Sequence, residues 1–515
     1  MEDTSMLSEN RLEEKDTEEG KLLEEYDIKV NDIDVHIRIV QMPQEAVPEY
    51  MISIANISTT TKIILEKIRE DFVSKVRTSQ IDLREVADKE AIKSKFKDEM
   101  GKLLEIYFPK SSDEDKGMLM NYLMEQNLGL GNIEMLLKDD MLEEIVVNNA
   151  KEPIWVYHKR YGWVKTNIIL MKESKIRHYA TMIGRDVNKE ITLLNPLLDA
   201  HLETGDRVNA TLNPISSKGN TLTIRKFRKD PWTVTDFIEE GTMNIFSAAL
   251  LWQMIENEFS VIIGGGTGSG KTSMMNALAG FFPPNQRIIS IEDTRELTLP
   301  NTLHWVPMET RLPNPEGKGG VEMLDLVVNS LRMRPDRIVV GEIRRHEEAQ
   351  VLFEAMHTGH SVYGTFHANN VHEAMQRLTN EPIALPKPIL SSLGGFLIQN
   401  RDRRTGKRMT LQIAEMKEDG DPRVILQYDP KRETQAKVAE QKRTYEVLSL
   451  YTGMSQKEVD DDIREKMFIL RWMIKKDIKN VHKIGMVMSR YYRGDLIDDS
   501  MREKIRIQNN VERAR

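Results

Sequence analysis

The 515 residues include no cysteine, which excludes disulfides and thiolate metal sites. No apolar run approaches the ~18 residues needed to cross a bilayer, and the amino terminus lacks a basic segment followed by an apolar stretch. Neither a transmembrane helix nor a secretory leader is expected, and the expected location is cytoplasmic. Positive charge is in deficit, with 73 Lys and Arg against 81 Asp and Glu and a formal net charge of −8. That balance argues against a chain that coats nucleic acid, although a local basic groove is compatible with an acidic whole. No internal repeat is visible, and the 29 methionines read as core filler.

The length present suggests three or more units. Residues 1–26 are rich in Glu and Asp, the composition of a solvated tail. Residues 28–40 alternate apolar and polar side chains about Asn31-Asp32, which predicts a hairpin. From about residue 60 to 107 apolar positions recur at helical spacing, so 27–117 reads as a hairpin plus an accessory helical region. Residues 118–229 read as a mixed α/β domain with strands near 154–157 and 163–170, and 230–243, opening on Pro231-Trp232, as a linker that turns into the first helix of the next domain. Residues 244–430 alternate strands at 260–263, 287–291 and 337–340 with helical stretches, the α/β pattern of a parallel-rich sheet flanked by helices. Residues 431–515 read as a helical extension, with Ser455 and Glu458 forming a capping box ahead of an amphipathic run to Ile478.

The densest chemical signal is 259–272, FSVIIGGGTGSGKT. An apolar strand breaks into glycines and ends in Gly-Lys-Thr ahead of good helix formers, matching G-x-x-x-x-G-K-[ST] in full. Gly265, Gly266, Thr267, Gly268, Ser269 and Gly270 would wrap an anion, with Ser273 in the helical turn that follows. Lys271 would reach the β- and γ-phosphates of ATP and the Thr272 hydroxyl would bind Mg²⁺. The bland alternative is a glycine-rich loop that holds no phosphate.

Carboxylates stand just past two further strands. Glu292, with Asp293 and Glu296 behind it, follows the apolar run IIS and is the first choice to orient a water toward a γ-phosphate; a helix N-terminal acidic cluster is the competing reading. Glu342 follows RIVVG and would hold the Mg²⁺ water shell or align the water. His357, His360 and His367 surround a glycine-bearing apolar segment, but their spacing is unlike short zinc motifs. His367, at a strand end, is the better candidate to sense the γ-phosphate, and His360 the second. The basic segment with Arg225, Lys226, Arg228 and Lys229, together with Arg207, would supply an arginine finger, a nucleic-acid patch or a solvated face; the residues alone leave these three open.

The succession GGTGSGKT, IEDTREL, LRMRPDRIVVGEIR and TGHSVYGTFHAN resembles the type II/type IV secretion ATPase superfamily, whose Walker A, Asp box, Walker B and His box these look like. IEMLLKDDMLEEIVVNN, TGDRVNATLNP and TIRKF resemble its N-terminal domain, so the likeness covers about residues 118–430. It implies a RecA-like P-loop NTPase domain after a mixed α/β N-terminal domain. It makes the single acid after Gly341 the expected Walker B form, and it turns Arg207 and Arg225 into phosphate-facing residues. The four-cysteine zinc insertion of bacterial pilus-extension members is excluded, and 377–408 and 453–478 look like archaeal members of the FlaI/TadA type. The resemblance implies a hydrolytic homohexamer with ATP between two lobes and a hinge near 230–234. It would be peripheral to the cytoplasmic membrane and act on a polytopic platform protein to build an archaellum or, next, an adhesive pilus. The basic 401–408 stretch would meet that partner or anionic lipid, or be a solvated loop. A nucleic-acid-translocating motor and a nucleotide-gated scaffold without turnover are the competing classes.

Overall fold

The computed structural model describes residues 20–497 except 32, 55–56, 78–88, 188, 203, 228–230, 312 and 314–316. Most of the expected tail, together with Arg228, Lys229 and the Asp230 end of the expected hinge, lies outside the described residues. The chain divides at residue 228 into two compact units.

The first unit is built on one nine-stranded sheet. Its strands are β1 (Lys21–Val30), β2 (Ile33–Gln41), β3 (Glu49–Ile54), β4 (Leu142–Val147), β5 (Trp155–His158), β6 (Gly162–Thr166), β7 (Leu197–His201), β8 (Arg207–Thr211) and β9 (Thr221–Arg225). Their order is β1-β2-β3-β6-β5-β4-β9-β8-β7. The expected hairpin is β1–β2, in which Ile33, Val35, Ile37 and Ile39 alternate into the core at the two-residue strand period. β1 starts at Lys21, inside the stretch expected to be tail. Tyr26 is anchored there, because its hydroxyl and that of Tyr50 each donate to buried Asp139 Oδ2 at 2.7 Å. β3 pairs in parallel with β6, so the hairpin shares its sheet with the 118–229 strands instead of forming a separate accessory layer. The helical pattern of 60–107 corresponds to helices Thr59–Arg77 and Lys89–Tyr107, joined by Phe72 and Phe96 with ring centroids 4.6 Å apart.

In the second unit, six strands pair in parallel in the order β12-β11-β13-β14-β10-β15. They are β10 (Val261–Gly265), β11 (Arg287–Glu292), β12 (His304–Glu309), β13 (Arg337–Val340), β14 (Ser361–Phe366) and β15 (Gly395–Arg401). β16 (Arg408–Met416), β17 (Pro422–Asp429) and β18 (Thr434–Lys437) continue the sheet antiparallel. Every residue of β10, β13 and β14 is buried, as strands covered on both faces require. The registers Gly264↔Phe366, Val340↔Gly364 and Ile291↔Val340 align the carboxyl ends of the central strands along one edge.

Within 230–243 the expected turn from linker to helix comes at Thr233, where Thr233 and Asp236 form a reciprocal cap and Val234 and Phe237 enter the core. Past residue 430 the chain forms β18 before it becomes helical. Its helices Lys442–Thr452, Gln456–Lys475 and Val481–Arg493 share the core of helix Ile245–Glu256, where Trp252 meets Phe281 and Tyr491 at 5.1 and 4.8 Å between centroids. The Ser455–Glu458 capping box is formed. Among the described residues no helix is long and apolar enough to cross a membrane.

Candidate nucleotide site

β10 runs into the glycine loop, and the loop into helix Lys271–Ala279. Gly268 and Gly270 have φ of +72° and +91°, left-handed values that L side chains resist, and they turn the chain from strand to helix. Gly265 through Gly270 therefore lie at the amino end of the helix, where an anion is favoured, with Lys271, Thr272 and Ser273 in its first turn. Ser269 is buried and its hydroxyl donates to the Gly266 carbonyl at 2.8 Å. Lys271 folds back on the loop, its Nζ donating to the same carbonyl at 3.2 Å. Burial holds its ammonium below the usual lysine value, opposed by the charges of Glu342 and Glu296.

Parallel pairing sets Glu342, two residues beyond β13, beside His367, the first residue beyond β14. Glu342 Oε1 lies 2.7 Å from His367 Nε2, and Oε2 accepts from Arg344 Nε at 2.8 Å. Arg344 Nη1 in turn donates to Asp293 Oδ2 at 2.6 Å. Burial, then the charge of Lys271, pushes the His367 pKa down against the pull of Glu342.

Glu292 closes β11 with 2% of its surface exposed. Its Oε1 accepts the N–H groups of Glu296 and Leu297 at 2.9 and 3.0 Å, while Oε2 is buried with no hydrogen-bond partner. Burial raises the carboxyl to about 7, overcoming the two N–H bonds that favour the anion. One oxygen held and the other unsatisfied is what a water-orienting base requires. β13 and β14 separate β11 from β10, a lateral gap of about 14 Å at ~4.8 Å per strand. The segment after Glu292 recrosses that gap, since Thr298 N–H donates to Asn276 Oδ1 on the loop's own helix at 2.9 Å.

Other expectations change. His360 precedes β14, seven residues and about 23 Å from His367 at ~3.3 Å per residue. Its Nδ1 lies 3.3 Å from the Ala355 carbonyl, so it stands at the far end of the strand and outside this cluster. Arg207 and Arg225 face each other across β8 and β9 in the first unit. Arg207 is forked onto Asp199 at 3.1 and 2.8 Å, and Arg225 lies across from Glu144. Lys226, from the same basic segment, is half-buried and donates to the Asp139 carbonyl, so its charge serves the fold.

In the basic 401–408 stretch Arg403 and Arg404 are exposed, as a solvated loop would have them, but the two ends of the stretch are not simply solvated. Arg401 and Arg408 are cross-strand partners at the mouth of the β15–β16 hairpin, and β15 neighbours β10. Arg408 Nε donates to the Gly268 carbonyl at 3.1 Å. Arg401 Nη1 lies 3.4 Å from the point where a Cβ on Gly268 would stand. Two arginines read as facing a partner, lipid or solvent thus sit on the glycine loop. Asn369 was also missed; its Oδ1 lies 3.2 Å from the Cβ position of Gly266. The available signal for the arginines was their placement on either side of the Thr405-Gly406 turn, which sets them opposite in a hairpin.

These residues fit a phosphate chain, which the glycine loop, Lys271, Arg401 and Arg408 would surround with positive charge and helix-end dipole. Among the described residues no three His, Asp or Glu side chains gather to hold a metal ion. The Thr272 hydroxyl is available for Mg²⁺, whereas Glu342 Oε2 is already engaged by Arg344 and its Oε1 is buried with no hydrogen-bond partner, so Glu342 would act through water. Mg²⁺ carried mainly by phosphate oxygens and water suits that donor set.

The family model described as type II/IV secretion system protein matches residues 126–457. The uncharacterized protein MJ0781 of Methanocaldococcus jannaschii is 46% identical over 245 residues, which cover 46% of this chain and 33% of that protein. MJ0900 of the same organism is 34% identical over 396 residues, covering 74% of this chain and 71% of that protein. The chain thus spans about a third of the length of one of these relatives and most of the other. The X-ray structure of the Legionella pneumophila ATPase DotB aligns at 20% identity over 73% of this chain and 94% of that chain, with a TM-score of 0.41.

Proposed function

Because the chain belongs to the type II/IV secretion system protein family, we propose that it hydrolyses ATP to drive a membrane-associated assembly or secretion machine. The observation that carries this reading is the convergence on one sheet edge of the glycine loop, the Glu342–His367 pair and Glu292 with its unsatisfied oxygen. In the proposed division of labour, Lys271 neutralises the β- and γ-phosphates and Thr272 serves Mg²⁺. Glu292 orients the attacking water, Glu342 aligns the Mg²⁺ shell and His367 senses the γ-phosphate. Arg207 and Arg225 would neutralise transition-state charge, a role worth roughly 10³–10⁵ in rate where arginine fingers act. The proposed working form is a homohexamer on the cytoplasmic face of a membrane. Its partner is a polytopic platform protein, with anionic lipid as a second contact, and its product an archaellum or type IV pilus-like filament.

The test is Mg²⁺-dependent ATP hydrolysis by the purified full chain. Lys271→Ala should abolish nucleotide binding, and Glu342→Gln should bind ATP but turn it over about 10²-fold or more slowly, the usual span for a lost acid–base or aligning group. Full turnover by either variant overturns the site.

A further inference from the structure

The carboxy-terminal helix Val481–Arg493 lies against the segment that follows Glu292. Leu297 and Leu299 of that segment are buried in one core with Ile484, Val487 and Met488 of the helix. The Asn301 N–H donates to His482 Nδ1 at 3.3 Å. At Gly485 the helix passes so close that an added Cβ would overlap Pro300 Cβ and stand 2.7 Å from Thr302 Oγ1. Near its end, the Tyr492 hydroxyl donates to the Phe281 carbonyl at 2.7 Å, just past the helix that carries the phosphate loop. The other end of the same segment supplies the Glu296 and Leu297 N–H groups that grip Glu292 Oε1, and Thr298, which bonds Asn276.

We infer that helix Val481–Arg493 is a positioning element for Glu292: it clamps residues 297–302 so that the Glu296 and Leu297 N–H groups hold the carboxylate with its second oxygen toward the site. The inference rests on the ATPase reading above. Glu292 ends β11, and the two N–H groups that hold its Oε1 belong to an irregular segment that ordinary loop motion would disorder. Burial of Leu297 and Leu299 supplies adhesion. The His482 bond and the glycine-permitted contact at Pro300 set where the segment lies. His482 and Gly485 are therefore positioning residues, remote in sequence from every phosphate motif, and the carboxy-terminal helices acquire a role in turnover.

The experiment uses the full chain and four forms: wild type, His482→Ala, His482→Asn, whose amide oxygen can replace Nδ1 as acceptor, and Gly485→Ala. Amide hydrogen exchange is followed without nucleotide, and kcat, KM and Mg-ADP affinity are measured in parallel. His482→Ala and Gly485→Ala should speed exchange at Glu296 and Leu297 and lower kcat about tenfold, with KM and Mg-ADP affinity within about twofold, because misplacing a reacting group affects turnover more than binding. His482→Asn should restore both protection and rate. If Gly485→Ala does not fold, the His482 pair carries the test. A wild-type chain that hydrolyses no ATP overturns the ATPase reading itself. Wild-type kcat in His482→Ala, or a loss of affinity equal to the loss of kcat, overturns the positioning role alone.

Discussion

Glu292 shows how a single side chain ties stability to function. Its carboxyl is raised to about 7 from an ordinary 4.5, so in the window between those values the folded chain keeps a proton that the unfolded chain has released. Stability from this group is therefore lost as pH rises from about 4.5 through 7, whereas the proposed water-orienting role needs the anion that forms at the upper end. Replacing it with a neutral isostere should separate the two effects. Glu292→Gln should abolish hydrolysis and yet stabilise the chain by about 1–3 kcal/mol at pH 8, shrinking toward zero near pH 4.5. Thermal melts across pH measure the difference, and equal stability at both ends would remove the case for a burial-strained carboxylate. Wild-type kcat should fall on the acid side of about 7. The placement of this acid was legible in the sequence because an apolar run delivers it to a strand end. Its orphaned Oε2 was not, since that depends on the backbone of residues 296–297 folding over it. The histidines make the same point. His360 and His367 looked like alternatives for one role, and the axis of a single strand separates them.

Among the elements, the β15–β16 hairpin departs most from what its sequence suggested. Two like charges directly opposite in a ladder are unfavourable, and Arg401 and Arg408 are such a pair. The position becomes reasonable when an anion lies beside them, and the loop carrying Gly268 is what they touch. Arg408→Ala should weaken Mg-ADP binding about tenfold, the loss of one charge-assisted hydrogen bond. Lys407→Ala, whose ammonium pairs with Glu433 in the neighbouring turn, should change it less than twofold. Titration calorimetry distinguishes these outcomes, and equal affinities for the two variants would return the hairpin to a partner-facing role. The strands and helices themselves were largely legible, since periodicity and capping are local: the 28–40 hairpin and the Ser455 cap are present. Which strands neighbour which was not. β10 lies between β14 and β15, about 100 and 130 residues later in the chain, and no local pattern encodes that order.

For the whole molecule, the proposed function separates from a nucleic-acid motor by what stimulates hydrolysis, a question that a net charge of −8 leaves to experiment. Duplex DNA should leave the ATPase rate of the assembled protein unchanged, while vesicles of anionic lipid or a reconstituted platform protein should raise it. Stimulation by DNA alone would favour a translocating motor. Arg225→Ala should lower steady-state hydrolysis without lowering nucleotide affinity, and an unchanged rate would make Arg225 part of a solvated face.

The sequence by itself determined the strand, glycine turn and helix of 261–279 and the order of the motifs, because these are specified by neighbouring residues through backbone conformation and local hydrogen bonding. It also determined, through the missing cysteines, what the protein cannot contain. Only the tertiary structure decided that Arg408 reaches Gly268, that His360 does not belong with His367, and that the carboxy-terminal helix holds the segment behind Glu292. Those are contacts between residues far apart in the chain, set by parallel strand order and by burial of a shared core, and long-range packing is the term that local sequence patterns do not carry.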